Sequence, residues 1–220
     1  ILKDIYNCKI FKFLQAGIFF NINFSCNVFI LKTTLRMLTQ YKSYKMKQNA
    51  IIWPEKYTPG TTDNYCSNEV IVKDITASEV WPYLTNPFTW PTYYSNSSDI
   101  EFLKAGDNEL YHDVRFRFKT FGFPIEAQVT EFVPPSENEP ARLAWHGWAE
   151  GDEEARLDVI HAWLIEDLPG NRVRILTQES QIGKPAQQLA KQKPNPMING
   201  HQEWLEGLID AIIKSNDTRL

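Results

Sequence analysis

Two titratable residues sit where the local pattern of this chain calls for apolar ones. Leu157, Val159, His161, Trp163 and Ile165 fall on one face of an alternating segment, and Val173, Ile175, Thr177 and Glu179 do the same further on. Leu168-Pro169-Gly170-Asn171 between them reads as a tight hairpin turn. Pairing outward from that turn puts Ile165 near Val173, Trp163 near Ile175, His161 near Thr177 and Val159 near Glu179. His161 and Glu179 then become diagonal neighbours on one face, about 7 Å or less apart. An imidazole beside a carboxylate in apolar surroundings has three uses. It is a general acid–base pair for a substrate, a polar anchor for a ligand, or a self-satisfied hydrogen-bonded pair with no further role. A neighbouring carboxylate raises an imidazole pKa and burial lowers it, so the two effects oppose each other here.

Other candidates are aromatic or apolar. Phe116 and Phe118 alternate with Arg115, Arg117 and Lys119, and Trp145 lies on the apolar side of the segment 142–148. With Trp163, Thr177, Trp204 and Leu208 they are the expected lining of any cavity. Most such aromatics in proteins serve as core. The remaining histidines, His112, His146 and His201, are expected at the surface or rim. No two histidines stand at ligand spacing in the sequence, so no metal is expected. HExxH, GxSxG, P-loop and GxGxxG motifs are absent, and with them any sign of a cofactor.

These residues need a sheet and a helix to hold them. Strands are expected over 67–75, 99–103, 113–120, 125–132, 142–148, 156–167 and 172–182, with short helices after Thr76 or Ser78 and over 88–94. The segment 156–167 is apolar on both faces and is therefore central in the sheet or covered on both sides. The alternating Arg115, Arg117 and Lys119 face Glu126, Gln128 and Thr130 across a turn, the pattern of a solvated sheet face. Met197 to Lys214 carries Trp204, Leu205, Leu208, Ile209, Ile212 and Ile213 at helical spacing, one apolar stripe that needs a broad surface. A curved antiparallel sheet with a long C-terminal helix on its concave face, an α+β fold, meets every one of these demands.

Charge divides the chain. Residues 1–45 hold seven Lys/Arg and one acid, whereas residues 46–220 hold sixteen Lys/Arg and twenty-six acids. An acidic body argues against nucleic acid as the partner. The segment 10–31 is rich in Ile, Phe and Leu but is broken by Lys12, Gln15 and several Asn, poorly suited to span a membrane. Residues 1–45 are expected to be an upstream extension ahead of a start at Met46, with a membrane anchor as the alternative; 46–66 is a lead-in and 67–216 the folded domain. Cys8, Cys26 and Cys66 form no CxxC pair, which points to a reducing, cytoplasmic setting.

The order strand, two short helices, antiparallel sheet, long helix comes with particular local sequences. These are Ala77-Ser78-Glu79-Val80-Trp81-Pro82-Tyr83-Leu84-Thr85-Asn86-Pro87, Glu131-Phe132-Val133-Pro134-Pro135, His161-Ala162-Trp163-Leu164-Ile165-Glu166 and the helix from His201 to Leu208. Over residues 67–215 the chain resembles the START-like (SRPBCC) superfamily, in its polyketide cyclase/dehydrase-like branch. The resemblance implies a helix-grip fold with a cavity between sheet and helix. It implies binding of a small hydrophobic molecule, lipid-, aromatic- or polyketide-like. The alternatives it offers are a cyclase or dehydratase using His161 and Glu179, or an interaction module like the activators of a chaperone ATPase. Because short helices border the entrance in that family, Tyr93 and Tyr94 are the candidates for its mouth.

Overall fold

The computed structural model describes residues 49–218, residue 138 excepted. The readings of residues 1–45 as an extension or an anchor, and of Met46 as a start, fall outside these residues. Seven strands form one antiparallel sheet: β1 (Asn64–Lys73), β2 (Ser97–Phe102), β3 (Arg115–Thr120), β4 (Phe123–Val133), β5 (Ala141–Ala149), β6 (Leu157–Leu168) and β7 (Arg172–Ile182). Their spatial order is β1-β7-β6-β5-β4-β3-β2. Between β1 and β2 lie α1 (Ala77–Thr85) and a 3-10 turn (Pro87–Thr92); α2 (Lys184–Lys191) and α3 (Pro196–Asp217) follow β7. This is the helix-grip arrangement expected from the sequence.

Local chemistry sets each boundary. The Thr76 side chain accepts from the Glu79 N–H while the Glu79 carboxylate accepts from the Thr76 N–H, a capping box that starts α1. Asn195 caps α3 by accepting from the Met197 N–H, with Pro196 in the first turn. A register shift between Val129 and Glu131 interrupts the β4–β5 ladder, a bulge of the kind that bends a sheet.

Residues 201, 204, 205, 208 and 212 form the inner face of α3 and are all buried. The sequence stripe differs slightly, since Ile213 is 42% exposed. Trp90, Trp145, Trp163 and Trp204 meet at the centre, with Trp204 5.1 Å from Trp90 and 5.2 Å from Trp163 between ring centroids, both edge-on. Edge-to-face pairs of this type add about 0.5–1.5 kcal/mol each beyond burial.

The convex face is dry in part. Ile51 and the half-buried Trp53 pack over Ala144, Ala162, Leu164 and Leu176. That covering explains why β6 is apolar on both faces. It also makes the lead-in a structural element, where the sequence showed only a stretch without periodicity. On the rest of that side Glu126 pairs with both Arg115 and Arg117, the cross-strand match read from the alternation.

Gly207 marks the tightest approach of α3 to the rest of the fold. A Cβ there would lie 1.9 Å from the Tyr93 carbonyl oxygen, a backbone atom that cannot swing aside. Gly207→Ala should therefore destabilise the protein by about 2 kcal/mol, the cost of overpacking, even though alanine favours helix. In thermal unfolding this should lower Tm by roughly 4–8 °C. Alanine at the exposed Glu203 on the same helix should change it little. Equal melting of the two variants would show that α3 is not seated this closely.

Candidate functional site

The β6–β7 hairpin closes one residue later than the sequence suggested. Leu168 still pairs with Arg172, and the loop is Pro169-Gly170-Asn171, with Gly170 and Asn171 both at positive φ. This shifts the register by two. Ile165 faces Ile175, Trp163 faces Thr177, and His161 faces Glu179 directly rather than diagonally. His161 Nδ1 lies 3.1 Å from Glu179 Oε2.

A third group completes the cluster. His201, expected at the rim, is 1% exposed on the inner face of α3, and its Nε2 lies 3.4 Å from the same carboxylate oxygen. The two imidazole rings are 4.7 Å apart. His201 stands three and four residues before Trp204 and Leu205, so the periodicity that marked the apolar stripe already placed it inward. Its polarity alone argued for the surface.

Every other polar atom of the three residues has a partner. His161 Nε2 is 2.8 Å from Thr177 Oγ1, and His201 Nδ1 is 3.4 Å from Cys66 Sγ. Gln181 donates its amide to Glu179 Oε1 at 2.5 Å. Asn64 donates to Gln181, and Asn195 at the head of α3 donates to Asn64. Sequence reading missed His201, Cys66, Gln181 and Asn64. The last three lie on β1 and β7, and partners there that are 113 or 117 residues apart leave no local trace.

Burial and charge determine the protonation states. Burial pushes the His161 imidazole down to about 4, opposed by the Glu179 carboxylate and assisted by His201. Burial works to raise Glu179, but its contacts with His161 and His201 outweigh that and hold the carboxyl well below the usual range. Burial, with the Glu179 charge behind it, pushes the Cys66 thiol far up, so it is a protonated donor. The site is thus an ionised carboxylate against a neutral His161, which donates from Nδ1 and accepts from the Thr177 hydroxyl at Nε2.

Beside the cluster is a cavity of about 30 Å³, room for a water molecule or two. Tyr94, Phe118, Trp145, His161, Glu179 and Trp204 line it, together with His201 and Gln181. Half-buried Phe121, Phe123 and Leu189 form its outer rim. Other candidates lie elsewhere. Phe116, Trp163 and Leu208 are buried in the main core. Thr177 sits behind His161, and the Tyr93 hydroxyl donates to the Tyr83 carbonyl. Tyr94 does not mark an open mouth; it stacks flat on Trp204 at 4.5 Å, 1% exposed. His146, next to Trp145 in β5, lies on the opposite face of the sheet from the cluster, half-buried and 2.5 Å from Asp158.

The expectation of no metal rested on histidines scattered along the sequence. The fold removes that ground: one ligating atom each from His161, Glu179 and His201 lie within 4.8 Å of one another. Among the described residues no helix is long and apolar enough to cross a membrane.

A sheet that grips its C-terminal helix around a small polar-floored cavity defines a class of domain, the helix-grip proteins. This chain has that fold, the one of the polyketide cyclase/START-like proteins it resembles. No protein-family model matches it, and no curated protein does. Among solved structures, the hypothetical protein jhp0584 of Helicobacter pylori is 49% identical, over 75% of this chain and 97% of its own, with a TM-score of 0.71. Protein MLL2253 of Mesorhizobium loti is 15% identical, over 69% of this chain and 98% of its own, at 0.50. A norcoclaurine synthase point mutant of Thalictrum flavum, in complex with a transition-state analogue, is 11% identical, over 70% and 96%, also at 0.50. The last two likenesses speak for the fold alone.

The protonation states predict an acid limb in stability. Between pH 6.5 and about 4 the unfolded chain takes up a proton that folded His161 refuses, so stability falls as pH drops through that window. The loss is on the order of 3 kcal/mol. Glu179, with its folded pKa depressed, adds a loss of the same sign below 4.5. Urea midpoints measured in EDTA should fall from pH 7 to pH 4, and His161→Gln should flatten the limb above pH 4.5. Parallel curves for the two proteins would contradict the assignment.

Proposed function

We propose that this protein binds a compact, mainly apolar molecule carrying one polar group, in the cavity between the concave sheet and α3. The observation that carries this reading is the pairing of aromatic walls, Tyr94, Trp145 and Trp204, with a buried ionised carboxylate and two imidazoles on one side. Burying a charge is costly unless it is well paired, and here the paired charge also borders the cavity between sheet and helix. Ligand pockets typically offer about 300–1,000 Å³, far above what is open here. Entry of a ligand therefore requires the half-buried rim, Phe121, Phe123 and Leu189, to move outward. An aromatic or polyketide-like ligand asks for less of this than a long-chain lipid.

A second reading has its own support in the 3.1 Å approach of His161 to Glu179, which suits proton transfer in a cyclase or dehydratase. The interaction-module reading is consistent with so small a cavity and gives the buried cluster a structural role only.

Mass spectrometry of small molecules extracted from the purified full-length chain tests the binding reading. The expected result is a bound aromatic or polyketide-like compound that quenches tryptophan fluorescence on re-addition, since Trp145 and Trp204 both line the cavity. His161→Ala should weaken its affinity about tenfold or more, the cost of losing a polar anchor. If it abolishes turnover of that compound and leaves binding intact, the enzyme reading wins. If neither changes, His161 has no part in either.

A further inference from the structure

The His161–Glu179–His201 cluster has the composition and surroundings of a metal centre. Two imidazoles and one carboxylate are the donor set of three-ligand catalytic zinc sites, and of other divalent first-row sites with open positions. The nitrogens stand 3.1 and 3.4 Å from Glu179 Oε2. Donors held at about 2.0–2.2 Å from one tetrahedral ion are about 3.3–3.6 Å apart, so the 3.4 Å separation fits a shared ion and the 3.1 Å one needs only a few tenths of an ångström of opening.

Three further observations point the same way. First, each donor group is held from behind. Thr177 holds His161, Cys66 holds His201, and Gln181 holds Glu179. Such outer partners fix ring orientation and tautomer in metal sites. Hydroxyl and thiol can each donate or accept. When a ring nitrogen turns its lone pair to an ion, its proton moves to the opposite nitrogen, and Thr177 or Cys66 reverses its hydrogen bond without moving. Second, the cavity beside the cluster, about 30 Å³, is the size of an ion's bound water rather than of a lipid. Third, Tyr94 lines this cavity, and its buried hydroxyl has no well-formed hydrogen bond among the described residues, with only the weak approaches of Thr120 and Asn96 beside it. A bound water would supply one.

We propose that His161, Glu179 and His201 form a three-ligand site for a divalent transition-metal ion of the zinc class, with an open coordination position facing the cavity. The inference concerns the same cluster as the binding reading but does not depend on it: an ion can bind with or without an organic ligand, and each is measured separately.

The test uses the full-length chain stripped with EDTA, then titrated with Co2+ by visible absorption and with Zn2+ by calorimetry. The expected result is one equivalent of either ion, an intense low-coordinate Co2+ band, and a rise in Tm with Zn2+. Glu179→Gln and His201→Ala should weaken Zn2+ binding on the order of 100-fold or more. Thr177→Val, which keeps all three ligands, should weaken it roughly 10–100-fold. His146→Ala should bind as the parent does. Circular dichroism confirms that each variant folds; if the ligand variants do not, Thr177→Val decides alone, and unchanged affinity there overturns the proposal. Absence of saturable binding, or binding that survives in both Glu179→Gln and His201→Ala, also overturns it. Binding of the extracted organic compound to stripped protein keeps failure here distinct from failure of the ligand reading.

Discussion

A carboxylate with 7% of its surface exposed must be satisfied by its surroundings, and in this protein that demand reaches from the centre of the sheet to the head of the last helix. Glu179 is supported by His161 across the β6–β7 ladder, by His201 from α3 and by Gln181 from its own strand. Through Gln181 the network extends to Asn64 on β1 and Asn195 at the α3 cap. Four separate elements are thus fixed relative to one another by polar contacts that only one register permits. A slip of two residues in β7 would place Thr177 or Gln181 opposite His161 and leave a charge buried without its partners. The apolar packing provides the bulk of the stability, but it tolerates small rearrangements that this network does not.

The aromatic cluster above the network sets how much room is left. Trp204 fills the space between Trp90, Trp145 and Trp163 and is covered by Tyr94, so the concave side is nearly full. A helix-grip fold is often pictured as an open basket. Here the grip is tight, and the space left between sheet and helix borders the polar cluster. The location of the void therefore says more than its size: it borders charge on one side and rings on the other.

The sequence disclosed the fold because its signals were local and repeated. Alternation in 115–120 and 157–165, the Pro169-Gly170-Asn171 turn and the stripe of 204, 205, 208 and 212 each report on a single element, and the elements have few ways to combine. The site was legible only in part. His161 and Glu179 stood out because each interrupts an apolar face. His201 interrupts one too, on a helix where a polar residue is easily given to solvent. Cys66 and Asn64 announce nothing, since their role arises from β1 lying beside β7, a pairing between the ends of the domain. The two-residue register error has a similar cause: turn residues reveal that a hairpin exists, while the count of residues in its loop depends on which of Leu168 and Asn171 remains in the ladder.

The covering of the convex face has a consequence for how the domain should be delimited. Ile51 and Trp53 lie over a shallow apolar strip whose floor includes two alanines, 144 and 162. Small floor residues leave space for the incoming chain, so strip and cover were shaped together. A protein trimmed to begin at its first strand would keep every element of the sheet yet present this strip bare on an otherwise charged surface. Such a strip invites a second copy of itself, and a monomer would turn into a self-associating species with its interior untouched. The residues just ahead of the sheet therefore act as its insulation, and they belong to the smallest piece of this chain that can remain a well-behaved solute.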